Sequence, residues 1–375
     1  MGSLGKLLIV GVAAVLLIPV TWMVKGIISG TYGSAPVNIS VGPGGRAPNG
    51  PSGEPTVSGD NRTVRYVAYS SEASNLVHGD ENAARDIFVW ARPLGVVPRH
   101  LSTGSLRIAS VNNSGGQLNG DSSHPSLDGS MENGPHCVAF QTVATNASSH
   151  DTTDDSDIYV RDLRSHKTYW ASRGVHGDAT QPSIAGNCKK VAFQADGSIW
   201  VSAVGYTNVK RIGGGKMPDF SRDGESLTYV NDGEVVFRHG STVKRLSRGA
   251  NPTVSDYASV GGWAVTYNSN GNVRIGLIMH GRARDSVAVH DASNGGVTAR
   301  AAARGIVVWT RGNSVNYLNR HTGNSDDLAY ANDEVTEVDC SARANMVAFA
   351  ATGGDDFIDA KGNSQRSVYV MWLPK

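Results

Sequence analysis

Seven times along this 375-residue chain, a turn rich in Gly, Asp, Asn or Ser leads into a short apolar strand of the Val-Ala-Phe kind. The copies are Val67-Ala68-Tyr69, Val138-Ala139-Phe140, Val191-Ala192-Phe193, Leu227-Thr228-Tyr229, Val265-Thr266-Tyr267, Val307-Val308-Trp309 and Val347-Ala348-Phe349. Repetition at this scale constrains the architecture before any single residue is interpreted. Each unit is too small to bury its own apolar face and must stack on neighbours of its own kind.

The flanks of each copy are as regular. Upstream, five copies carry a proline and a small turn: Pro55-Thr56-Val57-Ser58, Pro125-Ser126-Leu127-Asp128, Pro182-Ser183-Ile184-Ala185, Pro218-Asp219-Phe220-Ser221 and Pro252-Thr253-Val254-Ser255. Proline presets φ where no ladder donor is needed, and the Asp223-Gly224 that follows the fourth supplies an Asx turn and a left-handed residue. Downstream comes a second run of β-branched and aromatic residues, such as Asp86-Ile87-Phe88-Val89, Asp157-Ile158-Tyr159-Val160 and Ser367-Val368-Tyr369-Val370. Such runs between turn clusters read as strands. A third strand ends near Arg99-His100-Leu101-Ser102 and Lys244-Arg245-Leu246-Ser247. Three or four short strands per unit predict an all-β fold, a seven-bladed β-propeller, with a six-bladed ring as the alternative. The 45 glycines fit its many tight turns. No helical periodicity of useful length follows the first thirty residues.

The last unit stops at Trp372-Leu373-Pro374-Lys375, one strand short. Val37-Asn38-Ile39-Ser40-Val41-Gly42 has the character of the missing strand. The N-terminal strand is therefore expected to complete the seventh blade and remove a free sheet edge.

Pro218-Asp219-Phe220-Ser221-Arg222-Asp223-Gly224, the Val-Ala-Phe strand, and Asp157-Ile158-Tyr159-Val160-Arg161-Asp162 together resemble the WD40-like (PD40-type) repeat of the TolB propeller family. The stretch from Ser74 through Asp80 to Val89 is similar to a form common in bacterial extracytoplasmic proteins. The resemblance covers roughly residues 37–375. TolB has six blades behind an α/β domain, whereas this chain has seven units and no room for that domain. The resemblance implies the propeller fold, and far less the Tol–Pal role.

Leu7 to Val24 is apolar apart from Thr21 and is bounded by Lys6 and Lys25. That length just crosses a bilayer core. The nearest small-residue cleavage site, Gly33-Ser34-Ala35, is followed by Pro36, so an uncleaved membrane anchor is favoured over a cleaved signal peptide. The expected organisation is an anchor over residues 1–25, a short linker over 26–36 and a propeller over 37–375. The propeller then sits on the extracytoplasmic side of the cell membrane, or is secreted if the segment is cleaved. Cys137 and Cys188 lie just before the Val-Ala-Phe strands of adjacent units and are a candidate disulfide, with Cys340 left odd. The alternative is three small buried hydrophobes.

A net charge of +1 argues against a general nucleic-acid binder. The most ligand-like constellation is Asp80, Asn82 and Asp86, whose loop spacing suits a hard cation such as Ca²⁺. Similar acidic loops recur at Asp151, Asp154, Asp155 and Asp157, and at Asp355, Asp356, Asp359 and Asn363. None matches the EF-hand spacing, and Asx turns on exposed loops explain the same residues. Gly-x-Ser-x-Gly, His-Glu-x-x-His, P-loop and Gly-x-Gly-x-x-Gly motifs are all missing. Trp90, Trp200, Trp309 and Trp372 read as packing between blades.

The expected role is non-catalytic: a membrane-anchored scaffold that binds a protein or an envelope polymer. The long loops 70–86 and 141–157 are the expected contact surface, with His78, Asp80, Asn82, Asp86, Asp151, Asp154, Asp155 and Asp157 as binding candidates. The alternative is a propeller enzyme, a hydrolase or lyase acting on glycans or peptides at the channel mouth. A third reading is a Ca²⁺-stabilised structural module.

Overall fold

The structure, a computed structural model, describes residues 34–59, 66–92, 104–129, 136–257, 262–290, 300–302, 306–320, 322–341 and 346–373. The apolar segment Leu7 to Val24 lies outside them. Among the described residues, no helix is long and apolar enough to cross a membrane.

The described residues form seven four-stranded antiparallel sheets. Blade 1 runs outward from the axis through Ser52–Val57, Tyr66–Ser71, Asp86–Ala91 and Ser105–Ile108. The first strand of each blade touches the first strands of its two neighbours, all the way round. The described residues thus form an all-β, seven-bladed propeller, and the six-bladed ring is excluded.

The Val-Ala-Phe strand is second in every blade, covered on both faces by neighbouring sheets. That is why it reads as an apolar run and not as an alternation. Its residues are buried throughout, Val138, Ala139 and Phe140 completely. The alternation survives as size. Val138 and Phe140 of blade 2 pack against Ala68 of blade 1. Val191 and Phe193 pack against Ala139 in the same way, and Leu227 and Tyr229 against Ala192. In blades 2, 3 and 4 the large side chains thus face the small central residue of the blade before.

The seventh sheet takes its outer strand from the N-terminal side. Val37–Asn38 pairs antiparallel with Ser367–Trp372, Val37 opposite Val370 and Asn38 opposite Tyr369. The pairing is short, but the Ile39 N–H extends it to the Val368 carbonyl at 2.9 Å. Val37, Ile39 and Val41 are all buried. Asn38 donates to Asp359 Oδ1 at 2.7 Å, and its own oxygen accepts from the Ser40 N–H and hydroxyl. The Val368 N–H in turn donates to Ser40 Oγ.

A disulfide joins Cys137, at the start of the second strand of blade 2, to Cys188 in the turn before the second strand of blade 3. Their Cα atoms are 5.8 Å apart. Cys340 is buried in the seventh sheet.

Candidate functional site at the channel mouth

The prolines of the repeat build the channel mouth. Each sits in the first, innermost strand and supplies no N–H to the ladder. In blades 1 to 5 the register of that strand slips just there, for example between Gly53 and Thr56 and between Ser123 and Ser126. The residue before each proline forms the bulge and takes a left-handed backbone: Glu54 (φ 55°), His124 (50°), Gln181 (52°), Met217 (56°) and Asn251 (50°). Non-glycine residues in this region carry strain of roughly 1–3 kcal/mol each, which persists only where surroundings fix it.

The surroundings here come from the preceding blade. The Glu54 N–H donates to Glu337 Oε2 of blade 7 at 2.7 Å. The His124 N–H donates to Glu54 Oε2 at 2.8 Å. The Gln181 and Met217 N–H groups donate to the amide oxygens of Gln141 and Gln194 at 3.0 and 3.3 Å. The Asn251 N–H meets Met217 Sδ at 3.5 Å. One layer deeper the rule repeats: Val57, Ile184 and Phe220 N–H groups donate to Asp339, Ser126 and Ser183 side chains of the blade before.

These residues enclose a cavity of about 360 Å³ at the mouth, lined by Glu54, His124, Gln181, Met217, Asn251 and Glu337. It narrows to a neck of about 70 Å³ lined by Asp219, Asp339 and Arg222. The neck is tight because three glycines meet there. A Cβ on Gly186 would lie 2.4 Å from the carbonyl oxygens of both Gly129 and Arg222. The wall formed by blades 7 and 1 is acidic through Glu54 and Glu337. His124 Nδ1 faces Glu54 Oε1 at 3.2 Å, an ion pair when the ring is protonated.

The loops 70–86 and 141–157 rise on this same face, because Ser71 pairs with Ser52 and Thr142 with Ser122, the mouth-side ends of their first strands. They are clasped rather than loose. Asn75 Oδ1 accepts the Asn49 N–H, and Asn146 Oδ1 accepts the Asn119 N–H, both at 3.0 Å. Gly120 lets the second clasp close, since a Cβ there would lie 2.9 Å from the Ala144 nitrogen.

The acidic candidates are placed as follows. Asp86 is buried and accepts from Ser110 Oγ, while Asn82 bridges the Ala84 N–H and the Leu118 carbonyl. Asp80 is half-buried, and His78 lines a separate 260 Å³ groove with Val37, Leu76 and Trp90. Asp151 Oδ2 accepts the Tyr159 hydroxyl at 2.9 Å, and Asp157 Oδ1 accepts Trp170 Nε1 at 2.7 Å. Asp154 and Asp155 are exposed. Asp359 accepts from Tyr369, Asn363 and Asn38, tying the last loop to the closing strand. Asp355 and Asp356 are exposed. These bonds give the buried acids structural tasks within each blade. Sequence reasoning missed the mouth residues; five of them, Glu54, His124, Gln181, Met217 and Asn251, share the signal of standing immediately before a proline, and Glu337 does not.

Asp86 also sets a pH dependence. Burial pushes its carboxyl up to about 6; hydrogen bonds from Ser110 and Asn82 oppose the rise, and the charges of Asp80 and Asp121 add to it. A folded pKa above the unfolded one stabilises the fold fully below about pH 4, and that stability is lost as pH rises through the folded value. Stability is expected to fall by roughly 3 kcal/mol between about pH 4 and pH 6 on this account. Asp86→Asn should flatten that part of a urea-denaturation profile, and an identical slope in the variant would refute the assignment.

No protein-family model matches this chain, and no curated protein matches it in sequence.

Proposed function

We propose that this chain is a non-catalytic propeller of the TolB-like, PD40 type, held at a bacterial membrane by Leu7 to Val24, which binds a protein or an envelope polymer at its channel mouth. The observation that carries the reading is the mouth itself. A strained ring of unlike side chains encloses 360 Å³ on the face that bears the long loops. Strain held in place by neighbouring groups collects at binding sites. The acidic wall of Glu54 and Glu337 selects a cationic group on the partner, such as a lysine, an arginine or an amino sugar. A disulfide between blades supports an oxidising, extracytoplasmic setting.

Catalysis is the less supported reading. A general acid or base must offer a proton-accessible atom to substrate. The mouth glutamates instead hold main-chain N–H groups of the next blade.

Cross-linking of the full-length protein in cells, followed by affinity capture and mass spectrometry, tests the proposal. Glu54→Gln and Glu337→Gln each retain an oxygen for the main-chain donor and lose the charge. One dominant partner should appear, and the double variant should reduce its yield about tenfold, the loss of roughly 1.4 kcal/mol. No reproducible partner, or a yield indifferent to both substitutions, would overturn it.

A further inference from the structure

On the face opposite the mouth, Asp128, Cys137 and Cys188 bring one carboxylate oxygen and two sulfurs within 4.8 Å of one another. The disulfide accounts for the sulfurs alone. Asp128 is 1 % exposed. Its Oδ1 accepts the main-chain N–H groups of His136 and Cys137 at 2.7 and 3.0 Å. Its Oδ2 is buried with no hydrogen-bond partner. A buried carboxylate oxygen without a donor is costly, and native structures rarely keep one without a use.

The seat of Cys188 is equally unusual. Its turn, Ala185-Gly186-Asn187-Cys188, repeats in blade 4 as Ser221-Arg222-Asp223-Gly224. Both turns close with the same 2.9 Å main-chain bond, Cys188 to Ala185 and Gly224 to Ser221. The backbone is left-handed in each, at φ 57° and 70°. Cysteine therefore occupies a glycine position, where a Cβ costs roughly 1–2 kcal/mol. Both irregularities, the glycine-seat cysteine and the undonated oxygen, belong to residues of this one cluster.

We propose that reduction of this bridge opens a three-ligand site, made of Cys137 Sγ, Cys188 Sγ and Asp128 Oδ2, for a thiophilic divalent cation of the Zn²⁺ class. Two thiolates and a carboxylate, with water in the fourth position, form a tetrahedral donor set. Zn–S bonds of about 2.3 Å and Zn–O bonds of about 2.0 Å place such ligands roughly 3.5 Å apart, within reach of small side-chain shifts. Half-exposed Cys188 leaves a path for the ion. In the redox step, a dithiol gives two electrons and two protons to the S–S bond and leaves as its own disulfide. Each thiol then releases its proton to solvent as the cation binds. Blades 2 and 3 are stapled in both states, by a covalent bond in one and by a metal in the other.

The test uses full-length protein, oxidised or reduced with a phosphine that is then removed, titrated with Co²⁺ as a spectroscopic substitute for Zn²⁺. Reduced protein should develop a sulfur-to-cobalt charge-transfer band that saturates at one ion per chain, and oxidised protein should not. Zn²⁺ should displace the band, and Cys340→Ser should keep it. Asp128→Asn should weaken Co²⁺ binding about tenfold or more. Cys188→Gly, which restores the blade 4 turn, should fold and abolish the band. The proposal falls if reduced protein shows no band or unfolds before the ion is added. It also falls if the band survives Cys188→Gly, or if Asp128→Asn leaves the affinity unchanged.

Discussion

Deletion of residues 36–45 is expected to lower the melting temperature by about 8 °C. The segment contributes the outer strand of the seventh sheet and three buried apolar side chains, Val37, Ile39 and Val41. Burial of three such groups stabilises the fold by about 6 kcal/mol. Unfolding entropy of about 2 cal/mol/K per residue converts that into about 8 °C for a chain of this size. The deletion also strips Asn38 from Asp359 and Ser40 from the Val368 N–H. Calorimetry of the deleted and intact proteins decides the matter. Equal melting temperatures would mean that the ring does not depend on this strand.

Phe140→Ala is expected to cost about 4 kcal/mol, the usual loss for an aromatic ring removed from a packed core. Phe140 is fully buried, faces Ala68 of the preceding blade, and stacks with Tyr159 at a centroid distance of 6.5 Å. Ala68→Leu alone should also destabilise, by about 1–3 kcal/mol, because it drives new atoms into that ring. Combined, the two changes should be less harmful than their sum by about 1–2 kcal/mol, since the leucine enters space that the phenylalanine vacates. Guanidinium denaturation of the four proteins completes the cycle. Strict additivity would show that large and small residues of adjacent blades do not interlock as described.

The propeller was legible in the sequence because its most buried strand is also its most repetitive. Val138-Ala139-Phe140 and its sisters are covered on both faces, so selection for packing leaves an unbroken apolar mark in each unit. The mouth was not legible. Glu54, His124, Gln181, Met217 and Asn251 share no chemistry; they share a backbone conformation, and only the following proline marks it. The acidic loops were legible as polar anchors but open as to purpose. Asp151 and Asp359 each accept a tyrosine hydroxyl, from Tyr159 and Tyr369. The first unit carries Phe88 at that strand position. Yet that unit keeps a carboxylate, Asp80, eight residues before Phe88, as Asp151 stands eight before Tyr159, so the sequence did not mark a carboxylate–phenol pair, and the spacing equally suits a cation. Ligand chemistry stayed hidden because it arises only when residues from separate blades meet around one axis.

At each of the five bulges before a proline, the donor is the main-chain N–H and the acceptor is a side chain of the preceding blade. Glutamate, glutamine and methionine already serve as acceptors in this one molecule. The frame therefore asks for a lone pair at a given reach and is indifferent to charge or polarity beyond it. Such a ring can exchange its lining residue by residue while its closure is undisturbed. Recognition can drift to new ligands at little risk to folding, which makes the mouth an evolvable socket on an inherited wheel.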